Sequence, residues 1–153
     1  MADFLVHVAA AYLPGRPLLR DARVRAVLYA GAILPDLLYK GLLYLFEAPT
    51  WLCEPTHSPL ALLAFAYAAA LLFEESFRAR AFGALLAGSW LHVLLDMGKD
   101  YMGRGVILWA FPFSMDLVEF GAYTNEHTPF FIAPALALLV LGELLGRLRE
   151  SRS

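Results

Sequence analysis

The sequence predicts an all-α integral membrane protein, a bundle of about four to five apolar helices with one long loop. Three observations support this: the composition, a series of apolar helix-forming segments, and the placement of arginines on alternate connections. Of the 153 residues, 60% are hydrophobic and 17% are charged; an ordinary soluble domain has about 45–50% and about 25%. A chain this short has too little interior to bury so many apolar side chains. We expect residues 1–153 to form a single membrane-embedded domain.

The charge and cysteine content exclude several other classes of protein. The 12 basic and 14 acidic residues give a net charge of −2, which leaves no broad cationic surface for nucleic acid. The single cysteine excludes an internal disulfide and a CxxC metal site. Membrane lipid is therefore the expected partner. The sequence leaves the oligomeric state open.

Five apolar runs define the predicted helices. They are rich in Ala and Leu and lack the alternation of period two that strands show. Three of them are about 15–17 residues long, or roughly 22–26 Å as helix, slightly short of the ~30 Å hydrocarbon core. We therefore expect tilted or partly re-entrant helices. The runs are residues 4–13, 26–46, 59–73, 81–95 and 129–145.

Local signals set the expected ends of these helices. Pro14 is expected to end the first run, because proline lacks a backbone donor. Pro35 and Asp36 interrupt the second. Ser58 is a helix N-cap followed by Pro59 at the first helical position, which starts the third.

Residues 97–128 differ from the apolar runs. This segment combines charges with several glycines and a proline, a mixture typical of an ordered loop or lid. We expect one short helix in it, near residues 115–120.

The basic residues predict an orientation. Nine of the 12 lie between the first and second runs, between the third and fourth, or after the fifth. All these connections fall on one side if every run crosses the membrane, and by the positive-inside rule that side is cytoplasmic. The N-terminus, residues 47–57 and the long loop are then expected on the other side. The nine are Arg16, Arg20, Arg23, Arg25, Arg78, Arg80, Arg147, Arg149 and Arg152.

In this topology all four histidines lie near the non-cytoplasmic ends of their segments. His92 and Asp96 are four residues apart on an otherwise apolar helix, and hence can hold one ion together. Such groups are costly within a membrane unless they are paired or bind a metal. The alternative is a mutual hydrogen bond that holds the helix to its neighbour.

Three further residues are candidate ligands, each with a simpler interpretation. Asp36 could instead pair with Lys40 at i,i+4. His57 could be an exposed interfacial residue within a capping sequence, and His7 a lone hydrogen-bonded histidine. Because separate segments bring these groups to one side of the bundle, we favour a divalent-metal site, most simply zinc. Two ions bridged by a carboxylate are an alternative. The predicted ligands are His7, Asp36, His57, His92 and Asp96.

The order of these motifs resembles a known family. Leu34-Pro35-Asp36, Thr56-His57-Ser58 and His92-x-x-x-Asp96 follow His7 and precede an aromatic stretch that ends at Ser114. This order resembles the membrane-bound metal-dependent hydrolases, also described as inner-membrane-associated hydrolases. It is also similar to the metal-ligand series of zinc-dependent phospholipases C and P1-type nucleases, which are all-helical.

The resemblance covers residues 7–114 and has two departures. Leu37 and Leu38 follow Asp36 where that family usually has another acid. Met97 and Gly98 follow Asp96 where it commonly has a threonine and then a glycine. The number of ions and the substrate pocket therefore stay open.

The resemblance implies a hydrolase in the inner membrane. The ion would lower the pKa of a bound water, and the resulting hydroxide would attack an ester, which we expect to be a phosphoester of a lipid or lipid-linked substrate. Asp36 or Asp96, whichever is less committed to the ion, is the candidate general base. Lys99 and Arg104, the cations of the outer loop, are the candidate phosphate-binding residues.

Two non-enzymatic alternatives remain open at this point. In the first, the His and Asp residues form a structural or transport-related polar or metal site without turnover. In the second, the chain is a structural partner subunit. His127, with Glu126, lies outside the matched motifs and is a candidate additional ligand, but we expect both residues in a loop that caps the last helix.

Overall fold

A computed structural model describes residues 2–100 and 107–150, and these residues are mostly helical. The helices are α1 (Ala2–Leu18), α2 (Ala22–Leu45), α3 (Thr50–Cys53), α4 (Pro59–Ala70), α5 (Glu75–Met97) and α6 (Thr128–Glu150), with 3-10 turns at Glu54–His57 and Asn125–His127. This architecture agrees with the all-α prediction.

Two helix starts follow the capping rules. The Asp21 carboxylate accepts a hydrogen bond from the backbone N–H of Arg23 at 2.8 Å and caps α2. The Ser58 hydroxyl accepts one from Ala61 at 3.3 Å, with Pro59 in the first turn of α4. Each cap satisfies a donor that the first helical turn leaves unpaired. The predicted start at Ser58 is confirmed.

Several predicted helix ends are wrong. α1 continues through Pro14 and Pro17, and α2 continues through Pro35. Each proline costs one backbone hydrogen bond, but tertiary packing, which provides most helical stability in proteins, keeps the chain helical. Pro35 is fully buried, so its ring contributes to that packing. α5 begins at Glu75, six residues before the apolar run. The apolar pattern did not reveal this start, because the first turns of α5 contain charged residues. The short helix α3 was not predicted.

The predicted helix near residues 115–120 is absent. That part of the chain instead contains β3 (Leu117–Val118), which pairs antiparallel with β2 (Ile107–Leu108). A Ser114 hydroxyl that accepts from the N–H of Asp116 at 3.0 Å turns the chain just before β3. This local turn competes with helix formation. The strand pair holds Ile107 and Leu108 in the interior.

A second strand pair ties the end of α5 to the start of α6. β1 (Lys99–Asp100) pairs in parallel with β4 (Tyr123–Thr124), with Lys99 opposite Tyr123. The Tyr123 hydroxyl also donates to the carbonyl of Leu95 at 2.7 Å. The chain directly after α5 is therefore fixed by backbone and side-chain bonds.

The apolar core lies between α1, α2, α4 and α5. Its buried members include Ala11, Leu28, Ala66, Phe77 and Leu85. In the part of the chain that the structure describes, α2 alone is long and apolar enough to cross a membrane, and only 28% of its apolar window is buried. α4 and residues 130–146 of α6 are apolar but shorter. Of the predicted four or five spanning helices, one is therefore a clear candidate by length and apolar composition among the described residues.

The directions of the helices bring the polar residues to one end of the bundle. α2 and α5 run in parallel: the Arg23 guanidinium lies 4.5 Å from the Phe77 ring centre near their N-termini. Further along the same two helices, His92 contacts α2 at the carbonyl of Ala32. α1 runs in the opposite direction, so its N-terminal half, with His7, reaches the same end.

Candidate metal centre

Two glycines set the distance between α2 and α5. A Cβ atom built on Gly31 would lie 2.4 Å from the carbonyl oxygen of Leu85, and one on Gly88 would lie 2.1 Å from that of Leu28. Only glycine permits the backbones to approach so closely. Because Asp36 follows Gly31 by a little over one turn, the contact places its carboxylate beside the C-terminal half of α5.

Four side chains from three elements converge at this end of the bundle. Asp36 comes from α2, His57 from the 3-10 turn before α4, and His92 and Asp96 from α5. One ligand atom from each lies within 4.8 Å of the other three. His57, His92 and Asp96 are buried, and Asp36 is nearly so. The group can hold a metal ion.

The closest contacts join the two imidazoles and Asp96. The Nε2 atoms of His57 and His92 are 3.3 Å apart. Asp96 Oδ2 lies 3.1 Å from the His92 Nε2 and 3.9 Å from the His57 Nε2. Asp36 Oδ1 lies 3.8 Å from the His57 Nε2 and 4.0 Å from the His92 Nε2. Two nitrogens and two carboxylate oxygens therefore face one small volume.

Hydrogen bonds at the other ring nitrogens assign the tautomers. The Nδ1 of His92 lies 2.7 Å from the carbonyl oxygen of Ala32, which can only accept, so Nδ1–H donates. The Nδ1 of His57 lies 3.0 Å from the Thr56 hydroxyl oxygen. That hydroxyl donates its proton to the carbonyl of Cys53 at 2.7 Å, so toward His57 it can only accept. His57 Nδ1 must therefore donate as well.

In neutral imidazoles these assignments leave both Nε2 atoms as acceptors that face each other. Two lone pairs at this separation repel, and a cation between them removes the repulsion. Zinc ligands in proteins typically show this arrangement, in which a carbonyl or hydroxyl fixes the far nitrogen of each imidazole. The donor chemistry therefore fits a divalent ion.

A second set of contacts surrounds the other oxygen of Asp96. The Lys99 ammonium lies 2.6 Å from Asp96 Oδ1, and the His7 Nε2 lies 3.4 Å from it. The His7 ring stacks on that of His92, with centroids 3.8 Å apart. His7 and Lys99 are both buried. Asp96 thus connects the four-residue group to a separate histidine and lysine.

Asp36 has its own cation. Lys40 Nζ lies 2.5 Å from Asp36 Oδ2, the i,i+4 pair that the sequence offered as a simpler interpretation. The Lys40 side chain is 31% exposed and lies over the Phe4 ring at 4.2 Å. The two carboxylates and two ammonium groups in contact here sum to zero charge when the histidines are neutral.

The structure brings together all five residues that the sequence offered as metal ligands, although His7 contacts the others from outside the four-residue group. Lys99 lies against Asp96, and its contact with a substrate stays a prediction. Arg104 lies outside the described residues. His127 is exposed, and its Nδ1 accepts from the backbone N–H of Thr124 at 3.2 Å, a loop contact of the expected kind.

Sequence reasoning missed the residues that support the ligands. The Ala32 carbonyl is a backbone group, and no side chain marks it. From the sequence, Thr56 was given no role beyond the capping sequence around His57, although a hydroxyl beside a candidate histidine is a usual second partner. Gly31 and Gly88 carried a usable signal, since small residues on two apolar helices favour close packing.

The comparison with known protein families identifies the chain. The sequence model of the YdjM inner membrane protein family matches residues 2–152. The chain belongs to the YdjM inner membrane protein family. Membership supports the predicted association with the inner membrane. No curated protein and no solved structure matches this YdjM family member.

Proposed function

We propose that this protein is a membrane-bound, metal-dependent hydrolase that cleaves a phosphoester of a lipid or lipid-linked substrate. The observation that carries the proposal is the pair of Nε2 atoms of His57 and His92, which lie 3.3 Å apart beside two carboxylates. Zinc suits this set of nitrogen and oxygen donors. When bound, a divalent ion supplies Lewis acidity and lowers the pKa of a water molecule toward neutrality.

The surrounding residues have separate roles in this proposal. Asp36, His57, His92 and Asp96 hold the ion, whereas His7, the fifth predicted ligand, faces the other oxygen of Asp96. Asp36 is the better candidate for the general base, because its side chain is 12% exposed and that of Asp96 only 6%. Water can therefore reach Asp36 more readily.

The charges favour an anionic substrate. Asp36, Asp96, Lys40 and Lys99 cancel one another, so a bound divalent ion leaves the centre with a charge of about +2. We propose that Arg104 contacts the phosphate, that the partly exposed Lys40 joins it as a candidate, and that Lys99 meets the phosphate only from its buried position beside Asp96. Arginine and lysine are the usual protein partners of phosphate oxygens.

A neighbouring groove supports a lipid-like substrate. It has a volume of about 460 Å³, and its walls are almost entirely apolar; they include Leu52, Pro55, Phe65 and Phe111. Thr56 also lines it, and the Thr56 hydroxyl contacts His57. An alkyl chain in this groove would therefore bring its head group close to the centre.

We also propose a multi-pass topology with the centre on the non-cytoplasmic side. The arginine pattern of the sequence and the helix directions support it: α1 and α6 run opposite to α2 and α5. The Tyr12 hydroxyl donates to Glu143 at 3.1 Å, so the C-terminal halves of α1 and α6 lie together. These halves are at the end of the bundle remote from the histidines.

Metal content and hydrolysis, measured together, test the proposal. Protein purified in detergent is analysed for metal, and a short-chain phospholipid and a chromogenic phosphodiester serve as substrates. We expect His92→Ala to lose both metal and turnover, because the remaining ligands hold the ion incompletely. The matched control is His127→Ala, which removes an exposed histidine outside the four-residue group and should leave both unchanged.

The possible results distinguish the alternatives. Wild-type protein that retains no divalent ion after dialysis against zinc would refute the metal centre. Metal bound without hydrolysis of either substrate would favour a structural or transport-related site over a phosphoesterase.

A further inference from the structure

Asp96 has the geometry of a bridging carboxylate. Its Oδ2 faces the nitrogens of His92 and His57, whereas its Oδ1 faces the Lys99 ammonium at 2.6 Å and the His7 Nε2 at 3.4 Å. In centres with two metal ions, a carboxylate of this kind binds one ion through each oxygen. Here the second oxygen forms an ion pair with the Lys99 ammonium.

The environment of Asp96 Oδ1 would otherwise suit a metal ion. It offers a carboxylate oxygen and an imidazole nitrogen, the donor types that surround the first position. His7 is 2% exposed, and its Nδ1 has no hydrogen-bond partner among the described residues.

We infer that Lys99 occupies the place of a second metal ion and limits the centre to one divalent ion. This inference rests on the metal-binding part of the proposed function, and not on turnover. The Lys99 ammonium supplies the positive charge that Asp96 Oδ1 requires, and it repels a further cation from the same position.

The backbone keeps Lys99 in this position. Lys99 follows α5 directly and lies in β1, opposite Tyr123 of β4. Its side chain is 4% exposed, whereas that of Lys40 is 31% exposed. Lys40 can swing into solvent when an ion or substrate arrives. Lys99 is nearly fully buried and has far less room to leave Asp96.

Lys40 provides a matched control. Like Lys99, it contacts the outer oxygen of an aspartate ligand, here Asp36 Oδ2 at 2.5 Å. Lys40 lies over the Phe4 ring, whereas the oxygen that Lys99 contacts also faces the imidazole of His7. Replacing Lys40 therefore exposes a carboxylate oxygen without providing a nitrogen ligand.

The experiment measures how many ions the full-length protein binds in detergent, by zinc titration with elemental analysis and by electron paramagnetic resonance with Mn²⁺. We expect one ion per chain in wild type and in Lys40→Asp. We expect two in Lys99→Asp, with the magnetic coupling of a closely spaced Mn²⁺ pair. In Lys99→Asp combined with His7→Gln the number should return to one.

Each result bears on the inference. Two ions in wild type, or one in folded Lys99→Asp, would overturn it and leave the proposed metal centre intact. No ion in wild type would overturn the metal centre and the inference together. If Lys99→Asp fails to fold, the wild-type stoichiometry decides alone, since one ion supports the inference and two refute it.

Discussion

Gly88→Ala tests whether the close packing of α2 on α5 builds the centre. The new Cβ atom would lie 2.1 Å from the carbonyl oxygen of Leu28, whereas real Cβ atoms essentially never come within 3.0 Å of such a neighbour. The two backbones must therefore separate by about 0.9 Å. Metal sites require ligand distances within about 0.2 Å of the preferred values. Since Asp36 is on α2 and His92 on α5, the ligand set opens.

Gly83→Ala is the matched control on the same helix. A Cβ atom at Gly83 meets nothing within 4 Å, so this change tests helix propensity alone. Alanine in place of glycine stabilises a helix by about 1 kcal/mol. Both variants gain this helix stabilisation, but in Gly88→Ala alone overpacking lowers the free energy of unfolding by about 1–3 kcal/mol. We expect Gly88→Ala to be less stable than Gly83→Ala by that amount.

Two measurements check this prediction. Thermal unfolding followed by circular dichroism in detergent compares the stabilities. Zinc titration compares the affinities for the ion. We expect the affinity of Gly88→Ala to fall about 10–100-fold, because removing groups that orient metal ligands causes a loss of that size. If Gly88→Ala and Gly83→Ala match in both stability and zinc affinity, the argument that helix contact positions the ligands is wrong.

Three further predictions concern single residues. Thr56→Val should weaken zinc binding about 10–100-fold without unfolding the protein, because the neighbouring imidazole loses the hydroxyl that fixes its tautomer; unchanged affinity in a zinc titration would contradict this. Lys99→Ala, measured at one equivalent of metal, should keep one bound ion. Its kcat/KM for a phosphoester should fall about 10–100-fold, equivalent to a charge-assisted bond of about 1.5–3 kcal/mol. A kcat/KM equal to that of wild type would contradict the phosphate role of Lys99. A cysteine at Arg149, in a Cys53→Ala background, should react only with reagents applied from the cytoplasm; labelling from outside would overturn the orientation.

The sequence predicted the helical class and the candidate ligands because both depend on short-range patterns. The i,i+4 spacing of His92 and Asp96 puts two donors on one helical face. The long apolar runs specify helices whatever their partners. His57 was a candidate because it joined an ordered series of donors near the ends of the segments, and tertiary contact was not required to notice it.

The remaining features depend on tertiary packing. The chain stays helical at Pro14 and Pro35, although local rules favour a break at each proline. Only the packing around these residues explains this. The strand pairing at Leu117 requires a partner strand at a distance along the chain. The hydrogen bond from His92 to Ala32 joins residues far apart in sequence, and its acceptor is a main-chain oxygen.

The charge balance at the centre favours a site for an anion over a path for cations. Asp36 and Asp96 each have a lysine of their own, Lys40 and Lys99, in direct contact. Carboxylates in a cation path attract the passing ion best when no lysine or arginine neutralises them. Each ammonium group nearby repels that ion. A hydrolytic centre has the opposite requirement: its phosphate substrate arrives with negative charge, and net positive charge at the bound ion attracts it. The two lysines therefore weigh against transport and for an anionic substrate.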